Sequence, residues 1–263
     1  ETADCGAELE YFDHQPPACR SHVIQSPDDF RRLKKPDPRG GGRMTDRLKA
    51  IQLYRERVGD TIPIQGWVEG PLAQAADLRG INEVLLETTT ELEFVRDLMD
   101  WVVEIEIDYA KAQIETGANL IGLGDAVASL VNPRFYAAEV APREKKMVDA
   151  IHAAGAKVRL HICGNIKGKF QAIAQLGVDL LDVDYPQTIE ETRRGVGPDL
   201  CLAGNLDPVR QIKNSTPDQI SADFAAAHRQ AGERYILAAG CEVPPGTPEE
   251  NVKAMFNYAR SAA

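Results

Sequence analysis

Two hydrophobic rhythms alternate along the chain. Short, continuous apolar runs are separated by longer stretches in which apolar residues return every three or four positions. Four segments repeat one phrase, an amphipathic helix, a glycine, two residues and an apolar run. They are "TGANLIGLGD" at Gly117, "AGAKVRLHICG" at Gly155, "LGVDLLDVD" at Gly177 and "AGERYILAAGC" at Gly232. Glycine suits the left-handed residue that ends a helix. The run after it has the length and composition of a strand buried on both faces, as in a parallel sheet. Two further strands, Ile62 to Trp67 and Leu200 to Asn205, lack the phrase.

Helices fill the gaps. "TTELEFVRDLMDWVVEIEIDYAKAQIE" and "PREKKMVDAIHAA" carry apolar residues at helical spacing. "TPDQISADFAAAHRQA" and "TPEENVKAMFNYARSAA" each open with a capping box, Thr216 with Gln219 and Thr247 with Glu250, and place Pro at the first helical position. Six β-then-α units in succession predict an α/β fold with a parallel sheet. No strand is followed by the glycine fingerprint of a dinucleotide fold. Polar residues instead collect at the C-terminal ends of strands, at Glu69, Asp125, Cys163, Asp184, Asn205, Asp207 and Cys241. A (β/α)8 TIM barrel builds its site there. Six units do not close such a barrel. The chain opens without Met on what reads as a helix end, so the first two strands are expected upstream of residue 1.

The barrel units and the site are expected within residues 61–263. Residues 1–60 read as a hairpin and loop segment of the same domain: "AELEYF" as half of a hairpin, and "KKPDPRGGGRM" as a loop that is either solvated or in contact with an anionic ligand.

Composition narrows the partners. A formal net charge of −10 disfavours nucleic acid and anionic membranes. No apolar run reaches the length of a membrane span. Five cysteines, odd in number and without scaffold spacing, fit a reducing cytoplasm. Cys5, Cys19 and Cys201 belong to no motif, and His152 and His228 lie on helices at the surface or core edge.

In "VRLHICGN", side chains alternate. Val158, Leu160 and Ile162 share an apolar face, and Arg159, His161 and Cys163 share the face toward the barrel interior. Cys241 ends the last strand. One imidazole and two thiols at neighbouring strand ends make a three-ligand set suited to Zn²⁺ with an open position. The alternative is a satisfied core histidine beside two small apolar thiols.

"GWVEGPL", "QIETGANLIGLGD", "AAEVAPREKKMVDAIHAAGAKVRLHICGN", "CLAGNLDP" and "ILAAGCEVPPGTPEENVKAMFNYAR" lie in one collinear order from about Thr61 to the C-terminus. Over that span the chain resembles the uroporphyrinogen decarboxylase superfamily, whose fold is a (β/α)8 barrel. "AAGCEVPP" replaces the glycine-histidine-glycine of the decarboxylases, and the HxC…C set is similar to that of the zinc-dependent branch, the methylcobamide:thiol methyltransferases. That resemblance implies His161, Cys163 and Cys241 as zinc ligands. It also implies a thiol or pterin acceptor of a methyl group drawn from a methylated corrinoid or another methylated substrate, and a corrinoid delivered by a separate corrinoid protein.

Glu69 is then a fourth ligand or general base, or else a structural hydrogen-bonding group. Asp125 has the same two readings, with substrate binding as its functional one. Of Asp182 and Asp184, Asp184 stands nearer the mouth and is the catalytic candidate. Asn165 is placed to orient a ligand, and Asn205 to touch substrate or shape its loop. A decarboxylase and a non-catalytic barrel that binds a corrinoid protein are the competing functions, and an oligomer is compatible with either.

Overall fold

The computed structural model describes residues 1–13 and 17–262. The chain divides into two compact units, Glu1–Arg159 and Leu160–Ala263.

In the first unit a two-residue pair, β1 (Leu9–Glu10) and β2 (Ala18–Cys19), is antiparallel. Leu9–Glu10 thus supplies a strand within "AELEYF". The loop expected over "KKPDPRGGGRM" stops at Gly42, because a helix runs over Arg43–Val58. Then come β3 (Gln65–Glu69) and β4 (Leu120–Gly124), parallel, with Trp67 opposite Gly122. Between them lie helices Pro71–Arg79, Ile81–Thr90 and Leu92–Thr116. The last of these buries Val95, Leu98, Met99, Val102, Val103 and Ile105, the three-four spacing of a core-facing stripe. Strand β3 starts later than the apolar run suggests, at Gln65, and Ile62 is left exposed.

β5 (Lys157–His161) crosses from the first unit into the second. The second unit continues with β6 (Leu180–Val183), β7 (Cys201–Leu206) and β8 (Tyr235–Ala239), parallel and paired in chain order. Helices Ile189–Val196, Pro217–Ala231 and Glu249–Ala262 follow β6, β7 and β8. Gly117, Gly155, Gly177 and Gly232, the four glycines of the repeated phrase, all have positive φ. Each ends a helical segment in a conformation that a Cβ disfavours, and that turn returns the chain to the sheet.

Two expectations fail locally. Thr216 caps its helix by accepting from the Gln219 amide, but the Gln219 side chain donates to Asp223 instead of returning to the cap. The Thr247 hydroxyl donates to the Pro244 carbonyl, and the helix begins at Glu249. β8 also departs from burial on both faces, since Ile236 is 49% exposed. Among the described residues no helix is long and apolar enough to cross a membrane.

Buried carboxyls give the first unit a pH signature. Glu106 and Glu144 are fully buried and pushed well above the usual range by desolvation, and Asp125 is pushed up to about 7 by the same cause. Raised folded-state values mean that the native chain holds more protons than the unfolded chain between about pH 4 and 7. Stability should therefore fall as pH rises through that window. The urea midpoint is expected to be higher at pH 5 than at pH 8, by on the order of 1 kcal/mol or more in unfolding free energy.

Candidate metal centre

β5 alternates as its sequence predicts. Val158 and Leu160 are fully buried, and Arg159 and His161 lie on the other, half-buried face. Arg159 donates to the Gln65 side chain. The strand ends at His161, and Cys163 belongs to the turn beyond it, where Gly164 has φ 95°. Cys241 sits two residues past the end of β8. Gly240, between them, must be glycine. A Cβ there would lie 2.8 Å from the Tyr185 amide nitrogen and 2.9 Å from Asp184 Oδ1. The close pass of that peptide brings Cys241 to the turn after β5.

The result is a compact donor set. A ring nitrogen of His161, Cys163 Sγ and Cys241 Sγ all lie within 4.8 Å of one another. The two sulfurs are 3.4 Å apart, and Cys241 Sγ is 3.9 Å from His161 Nε2. Tetrahedral zinc with sulfur at about 2.3 Å and nitrogen at about 2.0 Å needs S–S near 3.8 Å and S–N near 3.5 Å. The observed separations bracket those values, so the three side chains fit such an ion with small rotations.

Two carboxylates of β6 and its end hold this set. Asp182 Oδ2 is 3.3 Å from His161 Nδ1. A proton held on Nδ1 leaves the Nε2 lone pair toward the thiols, the tautomer a metal ligand requires. Asp184 Oδ2 accepts from the Gly164 amide at 2.7 Å and lies 3.5 Å from Cys163 Sγ, while its Oδ1 accepts from the Tyr185 amide at 2.8 Å. Without a cation these groups oppose ionisation. Burial, Cys241 and the Asp184 carboxylate push the Cys163 thiol up to about 12. A dication among them reverses that balance, because a coordinating thiol is deprotonated outright.

The remaining candidates fall in different places. Asp184 touches the cluster. Asn165 is exposed and accepts from the Lys167 amide, which shapes its own turn. Asn205 donates to the Gln187 carbonyl at 2.6 Å and lines a recess with Tyr185 and Gln211. Asp125 is fully buried and accepts from the Leu72 and Ala73 amides, which anchors the start of helix Pro71–Arg79. Glu69 ends β3 and accepts from the Trp67 indole at 2.9 Å. Burial, with added repulsion from neighbouring carboxyls, pushes Glu69 up to about 8.

Two residues of the site were missed by sequence reasoning. Asp182 was set aside for Asp184, although residues two apart on a strand share a face. Gln187 supports Asp184 by donating to its carbonyl, and ties it to the turn after β5 by accepting from the Ile166 amide. It lies outside any strand and has no periodic signal.

A parallel β/α chain that gathers imidazole and thiols at its strand ends belongs with the barrel enzymes. The uroporphyrinogen decarboxylase (URO-D) family model matches residues 1–262. A methylcobamide:CoM methyltransferase of Methanosarcina mazei is 30% identical over 263 residues, covering 99% of this chain and 76% of the relative. A uroporphyrinogen decarboxylase of Parasynechococcus marenigrum is 30% identical over 222 residues, covering 81% of this chain and 62% of the relative. Among solved structures, a methyltransferase from Methanosarcina mazei superposes with a TM-score of 0.91 at 27% identity, over 99% of this chain and 77% of that one. The chain belongs to the uroporphyrinogen decarboxylase family, has its TIM-barrel type of α/β fold, and is an enzyme of the methyltransferase kind. The match begins at residue 1, so the first 60 residues, outside the resemblance read from motifs, lie inside the family.

The donor set makes a metal-binding prediction. Purified protein loaded with zinc and dialysed should retain roughly one ion per chain, and Cys163→Ala and Cys241→Ala should each lose it. Elemental analysis with parallel circular dichroism checks that the variants remain folded.

Proposed function

We propose that this chain transfers a methyl group from a methylated corrinoid to a thiol, at a Zn²⁺ ion held by His161, Cys163 and Cys241. The observation that carries the reading is the approach of these three donor atoms to within 4.8 Å. The chain's methyltransferase relatives support the corrinoid and the thiol, since they are methylcobamide:CoM methyltransferases. Two of them match 99% of the chain, and two others, like the decarboxylase relatives, match about four fifths of it.

The chemistry that zinc supplies when bound is a lowered pKa for a thiol that joins it, so that the sulfur attacks as a thiolate near neutral pH. The protein's own work is positioning. Asp182 keeps the proton of His161 on Nδ1 and fixes the ring plane. Asp184 clamps the turn that carries Cys163 through the Gly164 amide, and Gly240 lets Cys241 close on the same point. Three protein donors leave a fourth position for the acceptor thiol. The Asp184 carboxylate, with Oδ2 3.5 Å from Cys163 Sγ, supports its reading as the catalytic carboxylate beside that position. The methyl group comes from a corrinoid carried by a partner protein, and a pterin acceptor is the alternative to the thiol.

The test is methyl transfer itself. Zinc-loaded protein with methylcobalamin and CoM should generate demethylated cobalamin, followed by its visible spectrum, and metal-stripped protein should not. Uroporphyrinogen in place of both substrates should give no carbon dioxide; decarboxylation without methyl transfer overturns the reading. Asp182→Ala should lower zinc affinity or activity about 10- to 100-fold, as expected for the partner of a ligating imidazole. Asp182→Asn should retain more of both than Asp182→Ala.

A further inference from the structure

Gln187 is 1% exposed, yet its side chain is an amide. It stands just before Thr188, the residue that caps helix Ile189–Val196, where an apolar side chain often packs on the first turn. Capping does not explain the amide. Thr188 accepts from the Glu191 amide and Glu191 accepts from the Thr188 amide, so the helix start is satisfied by its own residues.

The polar atoms of Gln187 serve the strand ends instead. Its Oε1 accepts from the Ile166 amide at 3.1 Å, and its Nε2 donates to the Asp184 carbonyl at 2.8 Å. Its own carbonyl accepts from Asn205 Nδ2 at 2.6 Å. One residue thus joins the turn after β5, the end of β6 and the strand β7.

The turn after β5 is the one that carries Cys163. Two of its amides are held from outside it, Gly164 by Asp184 Oδ2 at 2.7 Å and Ile166 by Gln187. The two holders are linked in turn through Gln187 Nε2 and the Asp184 carbonyl. A buried, fully bonded amide returns little net stability over an apolar side chain of its size. What it adds is direction, because each bond fixes an angle as well as a distance.

We infer that Gln187 is a positioning residue of the metal centre. It sets the turn after β5 so that Cys163 Sγ meets His161 and Cys241, and Asn205 acts through it. The inference rests on the zinc reading and extends it from the ligands and their carboxylates to an amide and a further strand.

The test measures metal binding by the full chain. Gln187→Leu, close in volume, and Gln187→Met, close in length, should each weaken zinc about tenfold or more in competition with a chromophoric chelator. Circular dichroism shows which of the two is folded. In cobalt-substituted protein they should also shift the visible ligand-field bands and the sulfur-to-cobalt charge-transfer band, which report coordination geometry. Asn205→Ala should weaken zinc by less, and should add little in a Gln187 variant, as for residues that act through one contact. Asn251→Ala removes another buried amide of the second unit, one that donates to the Ile212 and Ser215 carbonyls. It should lower the urea midpoint and leave zinc affinity and the cobalt bands unchanged. Wild-type affinity and cobalt bands in the folded Gln187 variants, an equal loss in Asn251→Ala, or additive losses at Gln187 and Asn205 overturns this assignment while the zinc reading stands. A wild-type chain that holds no metal overturns both.

Discussion

Asp182 and Asp184 stand two residues apart on one side of β6 and its end, and the candidate centre depends on that spacing. The first reaches the imidazole of His161, and the second reaches the turn that carries Cys163. Strand periodicity alone puts both carboxylates on one face. A one-residue shift of β6 would send both away and place Val183 against the imidazole. The adjacent strands are thus coupled through side chains as well as backbone, and the register of the sheet becomes the register of the site. Gly240 extends the same logic to β8, where the absence of a Cβ lets the chain pass Asp184 closely enough to deliver Cys241.

Carboxyl groups do different work in the two units. In the second, Asp182 and Asp184 are buried but partnered, each committed to a donor on a neighbouring segment. In the first, among the described residues, neither oxygen of Glu106 has a hydrogen-bond partner, and one oxygen of Glu144 has none. An ionised carboxylate in such a place carries a large desolvation cost, and protonation relieves it. Tyr136 donates to Glu144 at 2.5 Å, which satisfies the other oxygen without supplying charge. The first unit therefore tolerates its acids as neutral groups, whereas the second keeps its own available to orient donors.

What could be read in the sequence was whatever repeats or alternates. The helix–glycine–strand phrase located β4, β5, β6 and β8 because a positive-φ residue must separate helix from strand, and glycine meets that need visibly. Alternation in "VRLHICGN" put His161 on the face away from the core, and Cys163 continued that face beyond the strand's end. Contacts that depend on turns were not legible. Gln187 and Gly240 act through loop conformations that have no period. Asn165 shows the converse, a polar residue beside the motif whose nearest backbone amide claims it first. Asp125 read as a mouth residue and is one by position, yet its oxygens are taken by the Leu72 and Ala73 amides at a helix start.

The electrostatics of the donor set bear on which ligand completes it. Two sulfurs 3.4 Å apart, with the Asp184 carboxylate 3.5 Å from one of them, are tolerable as neutral thiols and strongly repulsive as thiolates. Burial is the main barrier to ionising Cys163, and the neighbours that add to it are the ones that would stabilise a bound dication. A monovalent cation would offset only part of that repulsion. An ion preferring six oxygens would find too few hard donors, since two of the three ligands are sulfur. The mixed imidazole and thiol set selects for a borderline-soft divalent ion, and among common ions of that kind a four-coordinate preference points to zinc. Asp182 strengthens the selection, because an imidazole whose Nδ1 proton is held by a carboxylate is a more basic donor at Nε2. The same carboxylate that sets the tautomer thus contributes to affinity, and geometry and charge favour one coordination chemistry.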